Sequence, residues 1–378
     1  MKKIFFISAN GFPSTYNKNT GIFTFEQAKA TNSKHLSILI DLQTNKSNKI
    51  YSNNFEKIKI HRLLYTKYNL IRALKNLIYL FKLKKKYNPD LLICSFLNLK
   101  NVFYTYFLRG KTVTIIHGSD AVVINKLKKL VYYFYLINNH KIITVSNFTK
   151  KVLLTHFKDI QIKKKIKVVH NGFSKDKFKV INKKFLYKIP KNKIIISCIA
   201  NAVPRKNIPF LINIFYELDA KYPNKYFLII AGGYGPETKK INNLIIEHKL
   251  TKKILFKQNL LNSEIATILR FSNFFCLFSK EFNGEFEGFG IVFIEAMFTK
   301  NVVLSSNHGG ISEIVINKKN GYKFNLNNKT VNKEIIKKIE FIQKNKKERD
   351  KVINNAYSYS LNFSWIKNIN KVINLSLK

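Results

Sequence analysis

The stretch EFEGFGIVFIEAM, residues 285–297, sets Glu287 and Glu295 on either side of a glycine-flanked apolar run, with Glu281 and Glu285 just upstream. A chain with only 21 acidic residues among 378 thus gathers four of them within fifteen positions. Carboxylates accept hydrogen bonds from hydroxyls, and the backbone amides at a helix start attract anions. A helix beginning near Gly290 and running through IVFIEAM offers the N–H groups of Phe289 and Gly290 at its tip. Glu287 and Glu295 are up to ~12 Å apart along such a rise, too far to grip one atom. They suit the two ends of one ligand. A sugar joined through two phosphates to a ribose has about that span, with hydroxyls at both ends and a diphosphate to lie over the helix start.

Other loops complement this chemistry. NAVPRKN (201–207) supplies Arg205 and Lys206 to neutralise phosphate charge. GGYGPE (232–237), which holds Gly233, SSNHGGISE (305–313), HGSD (117–120) and SANGFPSTYNKNTG (8–21) mix glycine with small polar groups. Glycine lets backbone amides approach an oxyanion without a Cβ in the way. The seven aspartates (41, 90, 120, 159, 176, 219, 350) are dispersed, which disfavours a metal-bridged phosphate site, and no metal ligand set is expected. A GxxxxGK[ST] loop is missing and GGYGPE lacks GxGxxG spacing, so neither an ATPase nor a dehydrogenase is supported.

The elements that position these loops alternate between β-rich runs and amphipathic helical patterns up to about Val303, the pattern of parallel sheets with crossover helices. The first series of strands is expected at 3–8, 36–42, 57–63, 90–96, 112–118, 141–146 and 166–172, and the second at 193–200, 226–233, 253–259, 274–279 and 301–306. Between them, 174–191 is lysine-rich and without clear periodicity, and reads as a linker. From about Lys329 the chain reads as helices. Two cores suit 378 residues. Each of the loops named above follows a strand, where doubly wound sheets bind ligands. The opening apolar run IFFISA is shorter than a signal-peptide core, and no run reaches the ~18 to 20 residues of a membrane span. Cys94, Cys198 and Cys276 lie far apart in apolar runs and read as buried thiols of a cytosolic protein. The formal charge of +46 attracts anions such as phosphates, lipid or nucleic acid, but lysine is abundant throughout, as a general compositional bias would also make it.

EGFGIVFIEAM matches the E-x7-E signature of retaining glycosyltransferases of the GT-B fold, family 4, and NHGGISEIV with Asn320–Tyr322 resembles that family's following segment. FPSTYNKNTGIFTFEQAKA, HGSD, VSNFTKKVL and VVHNGF are similar to further family stretches in family order, so the resemblance covers most of the chain. It implies an α/β architecture of two Rossmann-like doubly wound domains facing each other across a cleft. The acceptor-side domain is expected at 1–175, the nucleotide-sugar domain at 190–358, and a C-terminal helix at 359–378 that packs back on the first. Carried over, Glu295 would bond the ribose and Glu287 the donor sugar's hydroxyls. Phe289, Gly290 and Ile291 would offer backbone amides, Lys206 would balance the diphosphate, Gly21 would lie in the loop closing over it, and His117 would stand near the donor sugar. Many members read Gly-Arg where this chain has Ala200 and Asn201, so one cation is missing and Arg205 is the candidate substitute.

The implied activity is transfer of a sugar from a UDP-, GDP- or ADP-sugar to a hydroxyl of a glycan or lipid-linked acceptor, with retention, no metal cofactor, and a place in cell-envelope polysaccharide or lipopolysaccharide synthesis. A basic nucleic-acid-binding or scaffold protein on a degenerate transferase fold, and a sugar-nucleotide epimerase of the same fold, are the alternatives. The helical patterns at 70–87 and 125–140 combine lysine with leucine and aromatics. They suit an anionic membrane surface, hence a peripheral location on the inner face of the plasma membrane, or an ordinary apolar face buried in the domain.

Overall fold

The computed structural model describes residues 1–8, 21–42, 49–66 and 69–377. The chain divides into two compact units, Met1–Gly172 with Trp365–Lys378, and Phe173–Ser364.

The first unit is built on strands β1 (Lys3–Ser8), β2 (Leu36–Asp41), β3 (Tyr51–Phe55), β4 (Ile58–Arg62), β5 (Leu91–Cys94), β6 (Thr112–Ile116), β7 (Lys141–Thr144) and β8 (Ile166–Val168). They form one sheet in the order β3-β4-β2-β1-β5-β6-β7-β8, parallel except for β3. Near-continuous apolar runs such as KIFFIS are buried because helices cover both faces of a parallel sheet. The polar β3, YSNNF, carries no apolar pattern and was not expected. It exists because Glu56 and Lys57, both at positive φ (47° and 67°), make the tight turn that folds it antiparallel onto β4. The last helix, Trp365–Leu377, lies on the helix Ile22–Thr31, where the Gln27 side-chain amide donates to Asn368 Oδ1 at 3.0 Å. Asn368 in turn donates to the His170 carbonyl at 2.7 Å.

The second unit holds β9 (Ile194–Ile199), β10 (Tyr226–Gly232), β11 (Ile254–Gln258), β12 (Phe274–Leu277), β13 (Val302–Ser306) and β14 (Tyr322–Phe324), all parallel in the order β11-β10-β9-β12-β13-β14. Three residues of β14 are too few for a sequence pattern to reveal. The segment 174–191 departs from the linker expectation. It forms a 3-10 turn at Lys175–Phe178 and a helical turn at Lys183–Leu186, both anchored in this unit. Phe178 packs on Phe173 and Phe298, and Phe185 sits among Ile195, Ile229 and Ile268. Two anchors seven residues apart among lysines and asparagines leave no periodicity to read. Cys94, Cys198 and Cys276 are buried and unpaired with one another.

Strand order reverses between β1 and β5 in the first unit and between β9 and β12 in the second. At such a switch point the crossovers leave in opposite directions, and the loops beyond the strand ends are free to frame a ligand. The loop after β9 contains Arg205 and Lys206. The loop after β12 contains Glu287.

Candidate functional site

Topology alone therefore brings the cations and the first glutamate together. After β9 the chain turns through a 3-10 segment, Pro204–Lys206, and Asn207 at φ 53° starts the helix Ile208–Lys221. The Lys280 N–H donates to the Arg205 carbonyl at 2.8 Å and pins this loop to the one after β12. Between Lys280 and the next helix, Asn283 and Gly284 make a two-residue hairpin turn at φ 50° and 78° that closes Phe282 on Glu285. Glu287 then enters the site. Its Oε2 accepts from Lys206 Nζ and, at 2.8 Å, from Arg205 Nη1. Glu285 lies at the exposed edge, 3.7 Å from Arg205 Nε.

Burial pushes the Glu287 carboxyl up, but Lys206 and then Arg205 more than offset it and hold the group below the ordinary glutamate range. The carboxylate is thus ionised. It serves as counter-charge to two cations at the tip of the helix Ile291–Phe298, which has no side-chain cap and leaves the N–H groups of Ile291 and Val292 without an intrahelical acceptor. Gly290 makes the turn into that helix at φ 86°, a conformation that favours glycine. The glutamate loop rests on Gly309 and Gly310: the Gly310 N–H donates to the Glu287 carbonyl at 2.8 Å, and a Cβ on Gly310 would stand 2.0 Å from the Gly288 carbonyl oxygen. Only a glycine pair lets the two backbones approach so closely.

Glu295 lies one helical stretch away, buried, and its Oε1 accepts from Lys177 Nζ at 2.7 Å. Lys177 comes from the segment expected as a linker, and no sequence pattern marks it. Phe289 is buried against Phe363, so its side chain is structural. Asn201, expected among the nucleotide-sugar-binding residues, is engaged within the protein. Its Oδ1 accepts from the Gly233 N–H at 2.8 Å, and Gly233 O accepts from the Ala202 N–H at 3.1 Å, so Asn201 ties the GGYGPE loop to the loop after β9. The structure therefore joins Glu287, Lys206 and Arg205 directly, sets Gly290 and Ile291 at the helix tip beside them, and gives Glu295 a separate partner.

His117 and Gly21 belong to the first unit. The His117 ring follows β6, stacks on Phe23 (centroids 5.7 Å apart) and leans on Phe96 at 4.7 Å. Its two ring nitrogens are buried, and the Ser95 backbone is the one group beside the ring that favours its charged form. Burial lowers its pKa to about 4, so the imidazole is neutral near pH 7. The His117 and Gly118 N–H groups donate to Asp120 Oδ1 at 2.9 and 2.8 Å, and burial raises Asp120 to about 6. Gly21 stands at φ 64° ahead of the helix Ile22–Thr31, while residues 9–20 of its loop lie outside the described residues. Among the described residues no group of three or more His, Cys, Asp or Glu side chains is placed to hold a metal ion.

Residues 179–359 match the family model described as Glycosyl transferases group 1, and residues 44–177 match Glycosyltransferase Family 4. An uncharacterized glycosyltransferase of Methanocaldococcus jannaschii is 30% identical over 257 residues, 68% of this chain and 65% of that protein, so the match spans just under two thirds of the relative's length. A glycosyltransferase from Rickettsia africae superposes with a TM-score of 0.77 at 22% identity, over 99% of this chain and 97% of that one. HepE of Anabaena, crystallised with UDP-glucose, gives 0.75 at 15% identity over 99% and 100%. Two parallel-sheet α/β units of this design are the GT-B fold. Both halves of the chain thus match glycosyltransferase family models, each over less than half of its length.

Proposed function

We propose that the chain is a nucleotide-sugar-dependent glycosyltransferase that acts with retention on a hydroxyl of a glycan or lipid-linked acceptor, in the assembly of a cell-envelope polysaccharide such as lipopolysaccharide. One observation carries the reading: two cations and a bare helix tip converge on a single carboxylate at the switch point of the second sheet. The two cations share one buried carboxylate, and the second acid, Glu285, stays at the solvent-exposed edge 3.7 Å from Arg205, so within the site positive charge is left for an anionic ligand. The diphosphate of the donor supplies it, Lys206 and Arg205 then divide their hydrogen bonds between phosphate and Glu287, and Glu287 turns lone pairs toward the sugar's hydroxyls. Glu295 takes the ribose end, held in place by Lys177 at 2.7 Å.

The reaction breaks the bond between the anomeric carbon and the phosphate oxygen and forms one from that carbon to the acceptor oxygen on the same face. The acceptor proton leaves with the departing diphosphate. The protein's part is electrostatic, since lysine, arginine and amides already aimed at the growing phosphate charge need no reorganisation as it forms. His117, neutral and with both ring nitrogens buried, supplies no charge to this scheme. No metal takes part in this scheme.

UDP-, GDP- and ADP-sugars offered in turn, with melting temperature and released nucleoside diphosphate as readouts, test the proposal. UDP-sugars come first because the HepE neighbour was crystallised with UDP-glucose. Raised melting temperature with one donor and nucleotide release that depends on an added acceptor support it. Stereochemical inversion of the sugar without transfer would favour an epimerase instead.

A further inference from the structure

We infer that one face of the first unit is a docking surface for a bilayer rich in anionic lipid, with aliphatic and aromatic side chains that enter the interface inside a ring of lysines. The crossovers leading to β5, β6 and β7 all advance in the same direction along the sheet, so their helices, Leu70–Tyr87, Leu99–Leu108 and Lys126–Ile137, lie on one face of it. Each already has an inward apolar face. Leu77, Leu80 and Leu83 of the first helix are buried in the core, as are Tyr132, Tyr135 and Leu136 of the third.

The outward faces are apolar as well. On the first helix Ile71 (66% exposed), Leu74, Ile78 and Phe81 recur at three- and four-residue spacing and point to solvent. Leu127 (72%), Leu130 and Phe134 make the same stripe on the third, with Ile124 (84%) just before it, and Tyr106 and Phe107 stand out from the end of the middle helix. A helix that is apolar on both sides wants a second apolar environment. Three adjacent ones exceed the scattered exposed side chains of an ordinary surface.

Charge decides what covers them. Lys75, Lys82 and Lys85 on the first helix and Lys126 and Lys129 on the third are exposed between the apolar positions, and none of the three helices contains an acidic residue. Asp90, the acid between the first two helices in sequence, is bound to Lys2 and Lys3, and Asp120 is taken up by backbone amides. Asp159, beside the third helix, is taken up by Tyr133 and by the amides of Gln161 and Ile162, so a second copy of this chain would bring only another lysine-rich face against the first. Nucleic acid would satisfy the lysines and leave the aliphatic side chains in water, since leucine and isoleucine offer no ring for a base to stack on. An anionic bilayer accepts both, the lysines at the headgroups and the apolar side chains below them. No helix among the described residues is long and apolar enough to cross it, so the contact is at the surface.

Full-length protein is floated with vesicles of phosphatidylcholine alone or mixed with phosphatidylglycerol. Wild type should rise with the mixed vesicles only, and the variant Ile78→Ser with Leu127→Ser should bind at least about tenfold more weakly while its melting temperature stays the same. Trp365 is the sole tryptophan and is buried, so Ile124→Trp adds a reporter whose emission should shift to the blue on the mixed vesicles. The inference fails if wild type does not float, if the double serine variant floats as well as wild type, or if emission from Ile124→Trp does not move. It fails equally if the serines abolish a dimer in solution, or reduce binding of single-stranded DNA as much as binding of vesicles.

Discussion

Replacing Glu287 by glutamine separates the two tasks assigned to that carboxylate. In the unliganded protein Glu287 neutralises Lys206, which is buried, and Arg205, which is three-quarters covered. A hydrogen bond to a charged group contributes about 1.5–3 kcal/mol, and glutamine keeps one carbonyl acceptor, so the net loss of stability should be about 1–3 kcal/mol. For a unit of this size that lowers the melting temperature by about 3–10 °C. The same change frees two cations for an incoming diphosphate. Binding of the nucleoside diphosphate product should therefore tighten by about tenfold, or about 1.4 kcal/mol. Turnover should fall by at least about 100-fold because the sugar's hydroxyls lose a charged acceptor. Calorimetric titration with the product and a nucleotide-release assay read the two effects separately. The sign with pH is also fixed: a carboxyl lowered by its cations contributes stability that is complete above the ordinary value of about 4.3 and lost as pH falls through its own lower value. Unchanged melting, unchanged product affinity and full turnover in Glu287→Gln would refute the reasoning.

Lys206→Ala should leave a folded protein whose kcat/KM is reduced at least about 100-fold, since the proposed site sets the lysine against the developing phosphate charge. Lys177→Met removes the partner of Glu295 at 2.7 Å and should raise KM for the donor more than it lowers kcat, with Lys177→Arg restoring most of the loss. Gly310→Ala should lower the melting temperature and abolish donor binding, because its Cβ would meet a carbonyl oxygen at 2.0 Å and an overlap with backbone costs about 1–3 kcal/mol or more. His117 should titrate by NMR near pH 4 and not near 6.5. The gap between those values corresponds to about 3 kcal/mol of folding stability that is present at neutral pH and lost as pH falls from 6.5 toward 4. Asp120 works in the opposite direction, its contribution fading as pH rises through about 6, so His117→Gln should expose that trend in a pH series of melting temperatures.

Much of this was legible in the residues. The buried strands announce themselves as apolar runs, because both faces of a parallel sheet are covered and every side chain must be apolar. Arg205, Lys206 and Glu287 could be placed in one neighbourhood because strand-end loops at a switch point must meet. What could not be read depended on geometry without a pattern. Asn201 looked like a missing cation and is a clamp on Gly233, a role that only the register of β9 against β10 reveals. Lys177 was one lysine in a run of them until Phe178 was seen to anchor its turn beside Glu295. The strand Tyr51–Phe55 stayed hidden because a solvent-facing edge needs no apolar residues. The outward apolar faces of the helices Leu70–Tyr87 and Lys126–Ile137 were visible as composition, but which side they presented was settled only by the fold.

The account rests on Lys206, Arg205 and the tip of the helix Ile291–Phe298 forming a diphosphate site governed by Glu287. Calorimetric titration of wild type and of a doubly substituted Arg205→Ala, Lys206→Ala protein with UDP, GDP and ADP tests it most directly. One nucleotide should saturate the wild type at a single site and lose at least about 100-fold in affinity in the folded double variant, as expected when two charge-assisted contacts vanish. Equal binding to both proteins, or none of the three nucleotides binding the wild type, would contradict it.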